Sequence, residues 1–403
     1  MWVDGTLTRA ATPMQRRTGP YGVSRWNPEK TADGYTLFCP AWGQLAVLID
    51  MEGLVVHTWP VERANLVKLL PGGRLLTHNV GQWLTELSPD GSAALRWRSD
   101  EALDHTTHHD FSPGADAVWT LAKRREPVKE GFYEPGLEPE SMRSDLILAV
   151  GRDGQVVDRF PFRDHIEELL AMVGMELPLR YRLRQVDGVT VPYGPADWAH
   201  ANSLEVLPET SLGREDERFR AGNLLFSLRN LDVVGVLDPR KRAVVWAFGP
   251  GTLDGQHHPT LLESGRLLIF DNGSVRGRSI IREVDPLTGE TGWSYEDPDF
   301  FSGKRGSNQR LWNGNTLICE SDRGRIFEVT GAGDIVWEYH SPFVSQGELH
   351  LGRRVYRATR YSPEAVKTLF AARQDRISGH KLPDGTRVRT FPELLDRYRE
   401  GWT

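Results

Sequence analysis

Apolar and polar residues alternate at a period of two through most of the 403-residue chain, and short turns rich in Asp, Pro and Gly interrupt the alternation. One pattern recurs: an aliphatic residue, such a turn, two or three strand residues, then an aromatic. It reads "LIDMEGLVVHTW" at 48–59, "LSPDGSAALRW" at 87–97, "AVGRDGQVVDRF" at 149–160, "VLDPRKRAVVWAF" at 236–248, "EVDPLTGETGWSY" at 283–295 and "EVTGAGDIVWEY" at 328–339. Each copy predicts a β-hairpin, because the turn residues favour tight reversal between half-buried flanks. Several copies follow a second strand pair that turns at Gly, as in "LVKLLPGGRLLTH" at 66–78, "TLLESGRLLIF" at 260–270 and "RLWNGNTLICE" at 310–320. Two hairpins per copy make a four-stranded antiparallel unit, and unit starts roughly 40–50 residues apart are the mark of a β-propeller.

The ends of the pattern are complementary. The hairpin at 35–59 lacks a strand before it, and "LHLGRRVYRATRY" at 349–361 lacks a hairpin after it. Joined, they complete a sixth unit and leave no open sheet edge. The sequence therefore predicts an all-β fold, a six-bladed β-propeller closed by pairing of N- and C-terminal segments, with inserted and C-terminal helices. The expected boundaries are an N-terminal extension over 1–33, the propeller over 34–361 with a helical and loop insertion at about 161–197, and a helical tail over 362–403. The insertion contains "RDHIEELLAMVG" at 163–174, where Asp164 and Glu167 have capping-box spacing. Residues 124–144 and 176–197 read as long loops. In the tail, "SPEAVKTLFAARQ" and "FPELLDRYREG" each place Pro at a first helical position.

Composition narrows the partners. Lys and Arg number 49 against 55 Asp and Glu, a formal charge of -6, which argues against a nucleic-acid partner. No stretch has the apolar length of a membrane span, and the opening lacks the order of a secretory signal, so a cytoplasmic location without a membrane partner is expected. Cys39 and Cys319 lie in apolar runs and read as buried thiols, with a disulfide between them left open.

In a propeller the innermost strands start around one mouth of the central channel. Here those starts read "HTTHHDF" at 105–111, "HANSL" at 200–204, "QHHPTL" at 256–261 and "SNQRL" at 307–311, and they hold six of the chain's 12 His. His105, His108, His109, His200, His257 and His258 are thus expected in one polar funnel, where a solvated mouth removes the cost of burying unpaired imidazoles. Arg229, Arg276, Arg278 and Arg310 on nearby strands and loops would make it a compact cationic pocket for a small anion such as sulfate or phosphate. A neutral imidazole is also a competent nucleophile, and its neighbours can donate to oxygens whose charge grows in the transition state.

At these residues the chain resembles the arylsulfotransferase family. The resemblance lies in "GYTLF" near 34, "LIDMEGLVVHTWP", "HHD" at 108, "DWAHANSLEVLP" at 197, "GNLLFSLRNLD" at 222, "GQHHPTLL", "LIFDNG", "QRLWNGNTLICESDRGRIFEV" and "RVYRATRY", between about 34 and 361. It implies a six-bladed propeller that moves a sulfuryl group from an aryl sulfate, through an active-site His, to a phenolic acceptor without a nucleotide donor. His200 and His257 match family active-site histidines, and Arg276 or Arg278 matches the sulfate-binding arginine. The family's sulfated His belongs to a later repeat, whose opening here reads "GSNQRLWNGN" with Ser307 and Asn308. The resemblance therefore implies that His257 or His200 takes the nucleophile's role, the other acting as acid or base. His109 and Arg276 complete the expected catalytic set. Asn202, His108, His258, Arg229, Arg278, Arg310 and Asn308 are the expected substrate-binding residues, and the partner is a small aromatic molecule.

Two further readings use the same residues. His109, His200 and His257 or His258 would suit a transition metal, Cu, Fe or Zn, with Asp110 or Asn202 orienting a ring; the transferase reading needs no cofactor. A non-catalytic anion- or ligand-binding propeller would need only the funnel. Plainer roles are expected elsewhere: Asp110 as a strand cap, His57 and His340 as solvated surface residues, Asp50, Asp238 and Asp285 as turn formers, and Trp97, Trp246, Trp293 and Trp337 as packing between blades. The sequence specifies neither donor, acceptor nor oligomeric state.

Overall fold

The computed structural model describes residues 21–79, 83–98, 106–135, 138–179, 183–186, 189–192, 197–343, 353–371, 380–381 and 387–388. They are all-β with few helices, and they fall into two units, one within Trp97–Asp299 and one formed by Met1–Arg96 with Phe300–Thr403.

The Trp97–Asp299 unit holds three four-stranded antiparallel meanders. The first runs through Thr106–Pro113, Ala117–Glu126, Met142–Gly151 and Val156–Pro161; the second through Ala201–Val206, Leu224–Leu228, Val233–Asp238 and Ala243–Phe248; the third through His257–Leu261, Leu267–Asp271, Ile280–Val284 and Thr291–Tyr295. The Asp-rich turns work as their chemistry predicts. Asp238 Oδ1 accepts the Arg240 amide at 2.9 Å, and Asp285 Oδ1 accepts that of Leu287 at 2.9 Å, so each side chain fixes its own reversal.

Side chains tie the first strands of successive meanders together. Asp110 Oδ2 accepts the Leu204 amide at 3.0 Å and the Ser203 hydroxyl at 3.2 Å, Ser112 Oγ accepts the Val206 amide at 2.9 Å, and Glu205 Oε2 accepts the Leu261 amide at 2.9 Å. A first strand pairs within its own sheet on one side only, so its other edge presents unpaired amides that cost free energy if buried without an acceptor. Asp110 and Glu205 supply that acceptor, and Asp110 is therefore a structural residue. Between the second and third meanders, Trp246 packs with Leu261, Leu267 and Ile269 and donates its indole N–H to Pro286 O at 2.9 Å.

In the other unit, Ser307–Arg310, Thr316–Glu320, Arg325–Val329 and Ile335–His340 form a meander, to which Gly22–Trp26 adds a fifth strand. The segment read from sequence as an extension thus begins a sheet edge, with Trp26 beside Trp337. The remaining seven strands form one sheet because Val55–Leu70 runs unbroken through what reads as two hairpins. Val355–Tyr361 lies beside Tyr35–Pro40, pairing Tyr35 with Tyr361 and Thr36 with Arg360. Arg360 is fully buried and donates to Glu328, Thr36 and Ala32, which compensates an otherwise costly charge.

Outside the meanders, helices occur at Ile166–Met172, Ser211–Glu215 and Pro363–Ala371. Leu183–Val186 and Val189–Pro192 pair as a small hairpin within the segment read as a long loop. The second expected tail helix lies outside the described residues. His57 is a correction: it is fully buried with its ring edge-on to Trp59 at 4.0 Å, so the hairpin's aromatic end shelters it from solvent. Cys39 and Cys319 are both buried free thiols. Among the described residues no helix is long and apolar enough to cross a membrane.

Candidate functional site

The starts of the three first strands in the Trp97–Asp299 unit share an uncommon backbone. His109, His200 and His258 have φ of 54°, 51° and 47°, the left-handed region that non-glycine residues seldom enter. Each lies at or beside a register shift, between Thr107 and Phe111, at Ala201/Ser203, and between His257 and Thr260. Such bulges re-aim side chains, and each strained residue costs about 1–3 kcal/mol that the surrounding fold must offset. The adjacent-histidine stretches therefore do more than supply imidazoles. They bend the chain where those rings stand.

The rings form a connected chain. His108 Nε2 lies 2.9 Å from Asp145 Oδ1, and His108 Nδ1 lies 2.6 Å from His109 Nδ1. The His109 and His200 ring centroids are 4.8 Å apart at 74°, and His200 Nδ1 lies 2.7 Å from Asp197 Oδ2. Lys123 Nζ stands 3.6 Å from Asp197 and 3.9 Å from Asp145. His257 Nδ1 faces Asn272 Oδ1 at 2.7 Å and Gly255 O at 3.2 Å.

Acceptor chemistry fixes the tautomers. An ionised carboxylate can only accept, so His200 holds its proton on Nδ1 toward Asp197 and carries its lone pair on Nε2. His257 does the same toward the Gly255 carbonyl. His108 donates from Nε2 to Asp145, which makes its Nδ1 an acceptor. His109 must then donate from Nδ1, leaving the lone pair on its own Nε2.

The charges agree with this assignment. Burial holds His109 well below the ordinary imidazole range, helped by His200, His108, Lys123 and His257 around it. Burial and Lys123 also lower His108, while Asp145 and Asp197 pull the other way. Burial pushes Asp197 up, but its hydrogen bond and charge interaction with His200, with Lys123 and His108, outweigh that and hold it below the carboxylate range. Below the ordinary imidazole value of 6.5 the unfolded chain takes up protons that folded His108 and His109 refuse, so their contribution to stability is lost as pH falls. Denaturant midpoints followed from pH 7.5 to about 5 should fall more steeply for the native protein than for His109→Gln; equal slopes would contradict neutral burial.

The remaining expected residues distribute unevenly. Asn202 is fully buried and donates to Gln256 O at 2.9 Å, in support of the backbone before His257. Arg229 is buried and donates to Ser274 Oγ and Asn230 Oδ1, both at 3.1 Å, and Asn230 in turn donates to Asp197 O at 2.6 Å. Arg276 instead pairs with buried Asp271 at 3.0 Å, and Arg278 lies by Glu296 at 3.4 Å on the exposed side of its loop. His258 is partly exposed. Gly273 holds that loop closed at φ 68°, because a Cβ there would come 1.8 Å from Arg278 O.

Asn308 and Arg310 belong to the other unit. Asn308 is buried, whereas Arg310 ends its four-residue strand and donates to Gly314 O in the following turn at 3.0 Å. That places it about 10 Å along the strand from Ser307, away from the strand's start. His105 lies outside the described residues. Asp145, Asp197 and Lys123 add two carboxylates and one ammonium to what sequence reading took as a cationic pocket. Asp145 had a signal in "RSDLILAV", since a carboxylate leading into an aliphatic strand must find a partner. Among the described residues no group of three or more His, Cys, Asp or Glu side chains is arranged to hold a metal ion, so the metal reading has no ligand set behind it.

Structural comparison adds a protein of unknown function from Bacteroides caccae, 13% identical, covering 82% of this chain and 99% of that one at a TM-score of 0.50. Virginiamycin B lyase from Staphylococcus aureus is 12% identical, covering 86% of this chain and 97% of that one at 0.45, and the Dos1 propeller is 10% identical, covering 82% and 78% at 0.39. At such identities the likeness bears on the fold alone. No curated protein matches the chain. The sequence model of the family described as arylsulfotransferase (ASST) matches residues 67–342, a stretch that contains every imidazole and carboxylate of the chain just described. On that match, over more than half its length, the chain belongs to the arylsulfotransferase family.

Proposed function

We propose that this protein transfers a sulfuryl group from an aryl sulfate to a phenolic acceptor, with His200 as the group that carries it. The observation that carries this reading is the Asp197–His200 pair. A carboxylate 2.7 Å from Nδ1 fixes the tautomer, raises the nucleophilicity of Nε2 and stabilises the charge the ring acquires on attack. The His200 side chain is also 26% exposed, which gives a substrate access to it.

In the first half-reaction His200 Nε2 attacks sulfur, an N–S bond forms, the S–O bond breaks, and its electron pair leaves on the phenolate. In the second, an acceptor phenol oxygen attacks the same sulfur, the N–S pair returns to His200, and the phenol's proton passes to a base. Arg229 holds sulfuryl oxygens in this reading. Its hydrogen bonds to Ser274 and Asn230 aim the guanidinium without neutralising it, whereas Arg276 and Arg278 face carboxylates. His257, held by Asn272, is the second imidazole of the site. The pairing of Tyr35–Pro40 with Val355–Tyr361 supports the accompanying fold reading, six blades closed into a ring.

A covalent carrier makes two-substrate kinetics diagnostic. Initial rates with a nitrophenyl sulfate donor and varied phenol should give parallel double-reciprocal lines. Intersecting lines would mean direct transfer between bound substrates and would remove the carrier from His200.

A further inference from the structure

The proposed transfer leaves one requirement unmet: each cycle must take a proton from the acceptor and give one to the departing phenolate. The Asp197–His200 pair cannot do both, because His200 Nε2 is occupied by sulfur between the two events. A second set of residues is connected for that purpose. Resting on the transfer reading above, we infer that Asp145, His108 and His109 form a proton-transfer chain that holds the acceptor's proton and returns it to the next leaving group.

The hydrogen bonds fix the direction. At rest Asp145 is ionised, His108 carries its proton on Nε2 toward Asp145, and His109 carries its proton on Nδ1 toward His108 Nδ1. When the acceptor oxygen attacks sulfur, its proton goes to His109 Nε2. The proton on His109 Nδ1 then crosses 2.6 Å to His108 Nδ1. The positive charge comes to rest on His108 against the Asp145 carboxylate. In the next cycle it runs back, and the proton on His109 Nε2 passes to the departing phenolate oxygen. One proton enters and one leaves per turnover, so an aryl sulfate and a phenol become a phenol and an aryl sulfate with nothing left over.

The surroundings explain why the charge moves on instead of remaining on His109. His109 is faced by Lys123 from Ala117–Glu126, by His200 and by His257, and a cation there meets none of the carboxylates directly. His108 has Asp145 at 2.9 Å from Met142–Gly151, and Asp197 nearby. Asp145 is itself oriented by the Ala201 amide, 3.0 Å from its other oxygen, so the backbone beside His200 positions the far end of the chain. His109, 4.8 Å from His200 between ring centroids, is the member that meets the substrate; His108 and Asp145 act through it as positioning residues.

The test uses leaving-group dependence in the full-length protein. A nitrophenolate departs without protonation, whereas unsubstituted phenolate needs it. Asp145→Asn and His108→Gln should lower kcat with phenyl sulfate by about 10²-fold, the usual share of acid–base help, while 4-nitrophenyl sulfate turnover falls by less than about fivefold. Equal loss on both donors would mean a structural role only and would overturn the chain, as would no loss on either. A native protein that turns over neither donor overturns the transfer reading itself, and the chain with it. Should both variants fail to fold, the native protein decides: a strongly low-field proton resonance exchanging between the His108 and His109 Nδ1 atoms supports the chain, and its absence in ¹⁵N-histidine-labelled protein rejects it.

Discussion

Replacing His200 by Asn lowers aryl-sulfate turnover by at least about 10³-fold, since a side chain amide cannot carry sulfur. The substitution is chosen for the backbone. Asn tolerates the left-handed region better than other side chains, and His200 sits there at φ 51°, so the bulge at Ala201/Ser203 is retained. The thermal midpoint should accordingly stay within a few degrees of the native value. Donor and acceptor assays on purified variant, followed by release of nitrophenol, measure the first effect and calorimetry the second. Turnover above about a tenth of native in a folded His200→Asn protein would transfer the carrier role elsewhere, with His257 the next imidazole in line.

Asp197→Asn has a different cause and a comparable size. An amide presenting its NH₂ group to His200 Nδ1 forces that nitrogen to accept, which moves the ring proton to Nε2 and removes the lone pair that attacks sulfur. The loss in kcat should be about 10²–10⁴-fold, as expected when the orienting carboxylate of a histidine is replaced by its amide. Substrate affinity should change little. The main-chain carbonyl of Asp197 still accepts from Asn230 at 2.6 Å, so the loop keeps its shape. An unchanged kcat would mean that the 2.7 Å contact with His200 serves the fold and not the reaction.

Much of the architecture is legible in the sequence because its turns are local chemistry. Asp238 and Asp285 fix their own reversals through hydrogen bonds two residues away, and such short-range devices leave a short-range pattern. The pairing of Tyr35 with Tyr361 is long-range, yet it was legible from the two incomplete halves of one repeat. The continuous strand Val55–Leu70 was not, because Pro60 and the polar run after it look like a break, although the chain passes through register shifts without leaving the sheet.

The site divides the same way. The imidazoles could be placed from repeat position, since His109, His200 and His258 open corresponding strands. Their partners could not. Asp145 lies on the third strand of its meander and reaches His108 and the Ala201 amide from a different part of the chain, so no spacing in the sequence announces it. Lys123 stands beside it through cross-strand register, Lys123 opposite Asp145, in a run of basic residues that otherwise reads as a solvated edge. Arg310 was misplaced for a related reason: strand membership was correct, but its position near the Gly314 turn puts it at the wrong end. His57 shows the limit of alternation as a guide, because Trp59 buries a polar ring that the pattern assigns to solvent.

The most direct test is to mix the native protein with an aryl sulfate in the absence of any phenol, stop the reaction in alkali and map the adduct by peptide mass spectrometry. One sulfuryl group on His200, discharged when phenol is added, is the result predicted here. A sulfated His257, a sulfated residue outside 197–202, or no adduct from protein that still turns over the donor would contradict it.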